Sequence, residues 1–182
     1  MAENATIYRF TIDLTDLDRN VYEKLSIHVA LHPSETLERM AMRVLAYCLN
    51  YDEQLSFTKG LSSDSEPDLW HKSYSDEIEL WLELGLPDAK RIKKACSQSK
   101  QVKLYAYGGQ GVNNWWDSIK KDVCKQRNIT VYRFDLEPVE NFAKGIERTT
   151  SLSCMIQDGS INLSWADQMQ DITISEIYSS GD

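Results

Sequence analysis

The sequence predicts an α+β fold: a single domain over residues 1–182 with a mixed β-sheet flanked by helices. Three observations carry that expectation. Apolar and polar residues alternate strictly over Thr6–Leu14 and again over Glu77–Gly85, the period of half-buried strands. Between them Leu37, Met40, Ala41, Val44, Leu45 and Cys48 recur at helical spacing. Composition agrees, with 26% charged and 42% hydrophobic residues, which suits a packed globular chain.

In the first strand Tyr8, Phe10, Ile12 and Leu14 share one face while Arg9, Thr11 and Asp13 share the other. After the turn-like segment 16–20, Leu25, Ile27, Val29 and Leu31 repeat the period, so the chain opens with a pair of strands. Pro33 stops the second strand, Ser34 reads as a helix N-cap and Glu35 suits the first turn, with the helix ending near Asn50. Glu35, Arg39 and Arg43 sit four apart and read as a surface ion ladder. Leu55–Leu61 and Asp68–Ser73 are short strands around a polar loop, and Gly85 and Pro87 end the strand over Glu77–Gly85. A helix over Asp88–Ser99, a strand over Val102–Tyr107, a glycine break, a helix carrying Trp115, Ile119 and Val123 and a strand over Ile129–Phe134 follow. Leu152–Gln157 and Ile161–Trp165 form a hairpin, because Asp158-Gly159 tolerates the positive φ of a type I′ turn. Ile172–Ile177 adds a last strand.

No apolar run approaches the roughly 18 residues a membrane helix needs, and the N-terminus has no signal-peptide pattern. Cys48, Cys96, Cys124 and Cys154 form no CxxC pair and read as reduced core thiols. The expectation is a cytoplasmic protein with no membrane association.

Net charge is −8, yet it is unevenly distributed. Residues 88–127 hold ten cations against Asp88, Asp117 and Asp122, so this segment is +7 while the remainder is −15. A basic side of this kind can track a phosphate backbone, because the field is set locally. Lysines that merely solvate two surface helices give the same composition.

Chemistry concentrates between Glu66 and Ala95. Asp68 follows Pro67 on a short strand, and Glu83 closes the clearest strand. Glu38, on the margin of the first helix's apolar stripe, is a third carboxylate. Such a set offers hard oxygen ligands to Mg²⁺ or Mn²⁺, which would activate a water for phosphodiester cleavage. Arg91, Lys93 and Lys94 on the following helix are candidates to neutralise charge on the phosphate. An ordinary sheet edge beside a solvated helix presents the same residue types. His28, His32 and His71 share no metal spacing, and Gly108, Gly109 and Gly111 read as a turn.

The segments HPSETLERM (His32–Met40), SFTKGL (Ser56–Leu61), EPDLW (Glu66–Trp70), ELWLELGLPD (Glu79–Asp88), RIKKAC (Arg91–Cys96), Trp115-Trp116 and MIQDGSINLS (Met155–Ser164) resemble the bacterial YaeQ family over essentially the whole chain. That resemblance implies a variation on the restriction-endonuclease-like core, the PD-(D/E)-x-K superfamily. Pro67-Asp68 then matches the "PD" element, Glu83 the second acid and Glu38 the helix acid. The lysine expected two places after Glu83 is replaced by Gly85, so the resemblance implies a cation drawn from Arg91, Lys93 or Lys94. Two functions are consistent with this: a metal-dependent nuclease or phosphodiesterase, and a catalytically inactive nuclease-fold protein that binds nucleic acid through residues 88–127 or binds a protein. Fold alone does not choose between them.

Overall fold

The alternation at the N-terminus becomes two long strands, β1 (Thr6–Asp16) and β2 (Val21–Leu31), paired antiparallel with Phe10 opposite Ile27. The computed structural model describes residues 4–59 and 63–181. Phe10, Ile12 and Leu14 are buried, as the period requires. Asn20, with φ 56°, makes the turn between the strands.

The remaining elements are α1 (Leu37–Leu49), β3 (Leu55–Phe57), β4 (Leu69–Lys72), β5 (Ile78–Leu84), α2 (Ala89–Gln98), β6 (Ser99–Ala106), α3 (Gly111–Val123), β7 (Ile129–Phe134), α4 (Leu136–Lys144), β8 (Thr149–Gln157), β9 (Ser160–Trp165), β10 (Gln168–Ile172) and β11 (Ile174–Ser179). The α+β class holds, with mixed pairing, but the strands form two sheets where one was expected. One has the order β10-β9-β8-β1-β2 and the other β11-β7-β6-β5-β4-β3. Residues 60–61 of the expected third strand lie outside the described residues.

The chain divides into two compact units, Met1–Leu49 with Glu137–Ile174, and Asn50–Leu136 with Ser175–Asp182. The first holds the five-stranded sheet, in which β1 pairs parallel with β8 and antiparallel with β2. In the β8–β9 hairpin, Asp158 and Gly159 adopt φ 52° and 71°, the left-handed pair of a type I′ turn. Their N–H groups donate to the Asp18 carboxylate at 2.8 and 2.9 Å, fixing the turn to the β1–β2 loop. Helix α1 is buried from Met40 to Cys48, more completely than a one-sided stripe would be. Its N-cap is Thr36, whose Oγ1 accepts from the Arg39 N–H at 3.2 Å, and not Ser34, whose hydroxyl lies 2.7 Å from His32 Nδ1. Glu35 and Arg43 form a buried pair at 2.7 Å rather than a surface ladder. A further Arg43 nitrogen donates to the Ala30 carbonyl. Helix α4 had no strong sequence signal; its Phe142 packs edge-on against Trp165, ring centroids 5.2 Å apart.

The second unit is a β5-α2-β6-α3-β7 succession whose three strands run parallel, extended by antiparallel β4 and β3. Helices α2 and α3 cover one face: Ile92, Ala95, Val112, Trp115 and Ile119 share a core with Trp81, Val102, Leu104, Ile129 and Val131. Asp88 caps α2, accepting from the Arg91 N–H at 2.7 Å. Cys48, Cys96 and Cys154 are buried thiols and Cys124 is an exposed one. Among the described residues no helix is long and apolar enough to cross a membrane.

Candidate functional site

The acids of the second unit meet where β4 begins and β5 ends. Asp68 stands just before β4, and its N–H donates to the Leu82 carbonyl at 3.1 Å. The Asp68 carboxylate turns back onto β5 and accepts from the Leu84 N–H at 2.9 Å. Glu83 is the neighbouring residue on that strand. Both acids are buried, Asp68 being 2% and Glu83 7% exposed, which is costly for carboxylates without donors.

Glu83 has two donors. Its Oε2 accepts from the Trp81 indole N–H at 2.7 Å and its Oε1 from the Arg91 Nε–H at 3.0 Å. Arg91 continues outward, donating to the Asp64 carbonyl at 2.6 Å and the Glu66 carbonyl at 2.5 Å. Its guanidinium also lies 5.4 Å from the centroid of the Trp81 ring. One arginine thus ties α2, the end of β5 and the loop before β4 together. Burial pushes the Glu83 carboxyl above its ordinary range and the Asp68 charge pushes it further, while the bonds from Arg91 and Trp81 pull it back.

Of the other expected cations, Lys94 donates to the Asp64 carbonyl at 2.9 Å and Lys93 is exposed. Gly85 has φ 97°, a left-handed conformation that a lysine side chain would strain. Glu38 belongs to the first unit, half buried in the first turn of α1. Each Glu83 oxygen is already satisfied, and among the described residues no three of His, Cys, Asp and Glu are grouped so as to hold a metal ion.

Two further polar residues of the second unit stand out. Trp81, two residues before Glu83 on β5, points along the same face, which is how its indole reaches the acid. Asn50, 6% exposed, donates to the Tyr105 hydroxyl at 2.8 Å and accepts from Lys103 at 3.0 Å. Nothing in the spacing of those three residues signalled their meeting.

The basic segment is spread over α2, β6, α3 and the turn after α3. Lys90, Lys93, Lys120, Lys121, Lys125 and Arg127 are all exposed. Lys120 and Lys125 are paired with Asp117 and Asp122, each at 2.9 Å. Lys100 is held by Glu77 and Glu79.

The profile of the family described as YaeQ protein matches residues 1–174. The chain belongs to the YaeQ family. It is 43% identical over 164 residues to the YaeQ protein of Escherichia coli (strain K12), an uncharacterised protein, covering 90% of this chain and 91% of that one. The YaeQ protein of Salmonella typhi is 42% identical over the same shares. Two YaeQ crystal structures superpose on it with TM-scores of 0.92. That from Xanthomonas axonopodis pv. citri is 35% identical and covers 96% of this chain and 99% of its own. That from Pseudomonas syringae is 34% identical, covering 96% and 97%.

Proposed function

We propose that this YaeQ chain is a nuclease-fold protein that binds the phosphate backbone of nucleic acid through the α2 and α3 side of its second unit, without cutting it. The observation that carries this reading is the state of the cations there. Lys90, Lys93, Lys121 and Arg127 are exposed and carry no ion pair among the described residues. Cations without an internal counter-charge release counterions when they meet phosphates, the main source of sequence-independent affinity. The acids, by contrast, are engaged: Glu83 is held by Trp81 and Arg91, as a structural ion pair is.

Binding is tested by fluorescence anisotropy with single- and double-stranded DNA and RNA over a salt titration. The expected result is affinity that falls steeply with salt. In the combined variant Lys90→Gln, Lys93→Gln, Lys121→Gln the slope against log salt drops by about 2–3 on duplex DNA. Absence of binding at low salt, or an unchanged slope in the variant, overturns the reading.

A second reading, a Mg²⁺- or Mn²⁺-dependent nuclease using Asp68 and Glu83, is favoured by one observation: the buried Asp68 carboxylate lies on the Leu84 N–H, beside Glu83, and its charge acts on that carboxyl as in paired-carboxylate sites. It requires Arg91 to leave Glu83 and serve the phosphate, with Lys93 or Lys94 as the other cations available. Metal-dependent cleavage that disappears in Glu83→Ala would establish it in place of the first.

A further inference from the structure

We infer that two copies of this chain pair through the outer edge of β2, in an antiparallel ladder centred on Leu25. This goes beyond the proposed nucleic-acid reading and does not depend on it.

Strand β2 is one edge of the five-stranded sheet and is eleven residues long. The direction of its free groups follows from its neighbour. The Arg9 N–H donates to the Arg148 carbonyl, on the β8 side of β1. In an antiparallel pair the residue opposite Arg9, which is His28, must therefore point its own N–H and C=O away from β1. By alternation Tyr22, Lys24, Ser26 and Ala30 point outward as well. The bond from Arg43 to the Ala30 carbonyl confirms this direction at one position and also closes it. What stays open is the run from Tyr22 to His28. Among the described residues nothing bonds to the outward backbone groups of Tyr22, Lys24, Ser26 or His28.

An open edge of this length is a template for another strand. Natural edges are usually blunted by proline, bulges, lysines or inward charges; β2 contains no proline, its register with β1 is unbroken, and its charges are confined to Glu23 and Lys24. A second copy of β2 fits it on three counts. A ladder that uses all four outward residues has its two-fold axis at Leu25, giving a closed, isologous pair. In that register Tyr22 faces His28, Lys24 faces Ser26 and Glu23 faces Ile27, so no like charges are opposed. A register centred on Lys24 would oppose two lysines, and one centred on Ser26 would need the Ala30 carbonyl that Arg43 holds. Finally, Leu25 and Ile27 lie on the core side of the sheet but stay half-buried at its rim. In the dimer Leu25 faces its own copy, and each Ile27 lies diagonal to that pair, covered by the aliphatic stem of the Glu23 opposite it.

Sedimentation velocity over a concentration series tests the proposal on the full chain, with dimer expected as concentration rises. Ser26→Pro removes an outward N–H that β1 does not use, a place where an edge strand accepts proline. It acts twice across the two-fold axis, so the dimer weakens by about thirtyfold. Circular dichroism establishes that this variant is folded. A second variant needs no loss of stability to be informative. Leu25 faces Leu25 in a non-hydrogen-bonded pair, with Cα atoms about 4.5 Å apart, within disulfide range. Leu25→Cys, made with Cys124→Ser to remove the exposed thiol, therefore cross-links two chains under oxidised glutathione. A chain that stays monomeric throughout, a dimer unaffected by Ser26→Pro in a folded protein, or a Leu25→Cys variant that fails to cross-link overturns the proposal.

Discussion

Replacing Arg91 by methionine removes the cation from a carboxylate that is 7% exposed while keeping most of the aliphatic volume. Two losses follow. The carbonyls of Asp64 and Glu66 lose donors; Asp64 is exposed and rehydrates, so this part costs about 1 kcal/mol and does not depend on pH. Glu83 is then left with the Trp81 indole alone. Breaking a fully buried pair costs about 3–5 kcal/mol, and because the Arg91 side chain is 22% exposed we assign about 2 kcal/mol here. This second part depends on pH in a definite sense. The Glu83 carboxyl is already raised in the folded protein, so the folded state binds its proton more tightly than the unfolded state does. Stability from this group therefore falls as pH rises through the window above its ordinary value. Loss of Arg91 raises the folded carboxyl further and widens that window upward. Urea denaturation followed by tryptophan fluorescence should then show Arg91→Met destabilised by about 1 kcal/mol at pH 4 and about 3 kcal/mol at pH 8. Adding Glu83→Gln should remove most of the pH-dependent part. An equal loss at both pH values would refute the account, because it would mean that Glu83 does not need Arg91.

Gly85→Lys puts a lysine at a position with φ 97°. It should lower stability by about 1 kcal/mol or more in a thermal melt and confer no metal-dependent cleavage in a nuclease assay. Thr36→Ala should cost about 1 kcal/mol by removing the α1 cap, whereas Ser34→Ala should change the urea midpoint little; the reverse order would restore Ser34 as the cap.

Much of the fold was legible because periodicity reports burial directly. The alternation of Phe10, Ile12 and Leu14 and the Asp158-Gly159 turn each depend on residues close in sequence, and each is found. The division of the strands into two sheets was not legible. It depends on β1 choosing β8 as its parallel neighbour, and nothing in either strand's own pattern names its partner. Arg43 shows the same limit: at four-residue spacing from Arg39 it looks like a surface charge, yet the reach to Glu35 and Ala30 takes it inside. At the site, sequence brought Asp68, Glu83 and Arg91 to notice as separate residues. That Arg91 spends itself on Glu83 and two carbonyls follows from how the loop around Asp64 folds, which no spacing rule encodes.

The discontinuity of the first unit has a consequence for biosynthesis. Its residues up to Leu49 emerge from the ribosome before any of the second unit, but Arg9 waits for Thr149 to form its parallel pair. Until then Cys48, at the end of the buried run of α1 that begins at Met40, lacks its β8 neighbour Cys154. The second unit waits in turn for its edge strand β11, which begins at Ile174. Neither sheet is complete until β10 and β11 have been made, so both units expose apolar segments through most of synthesis.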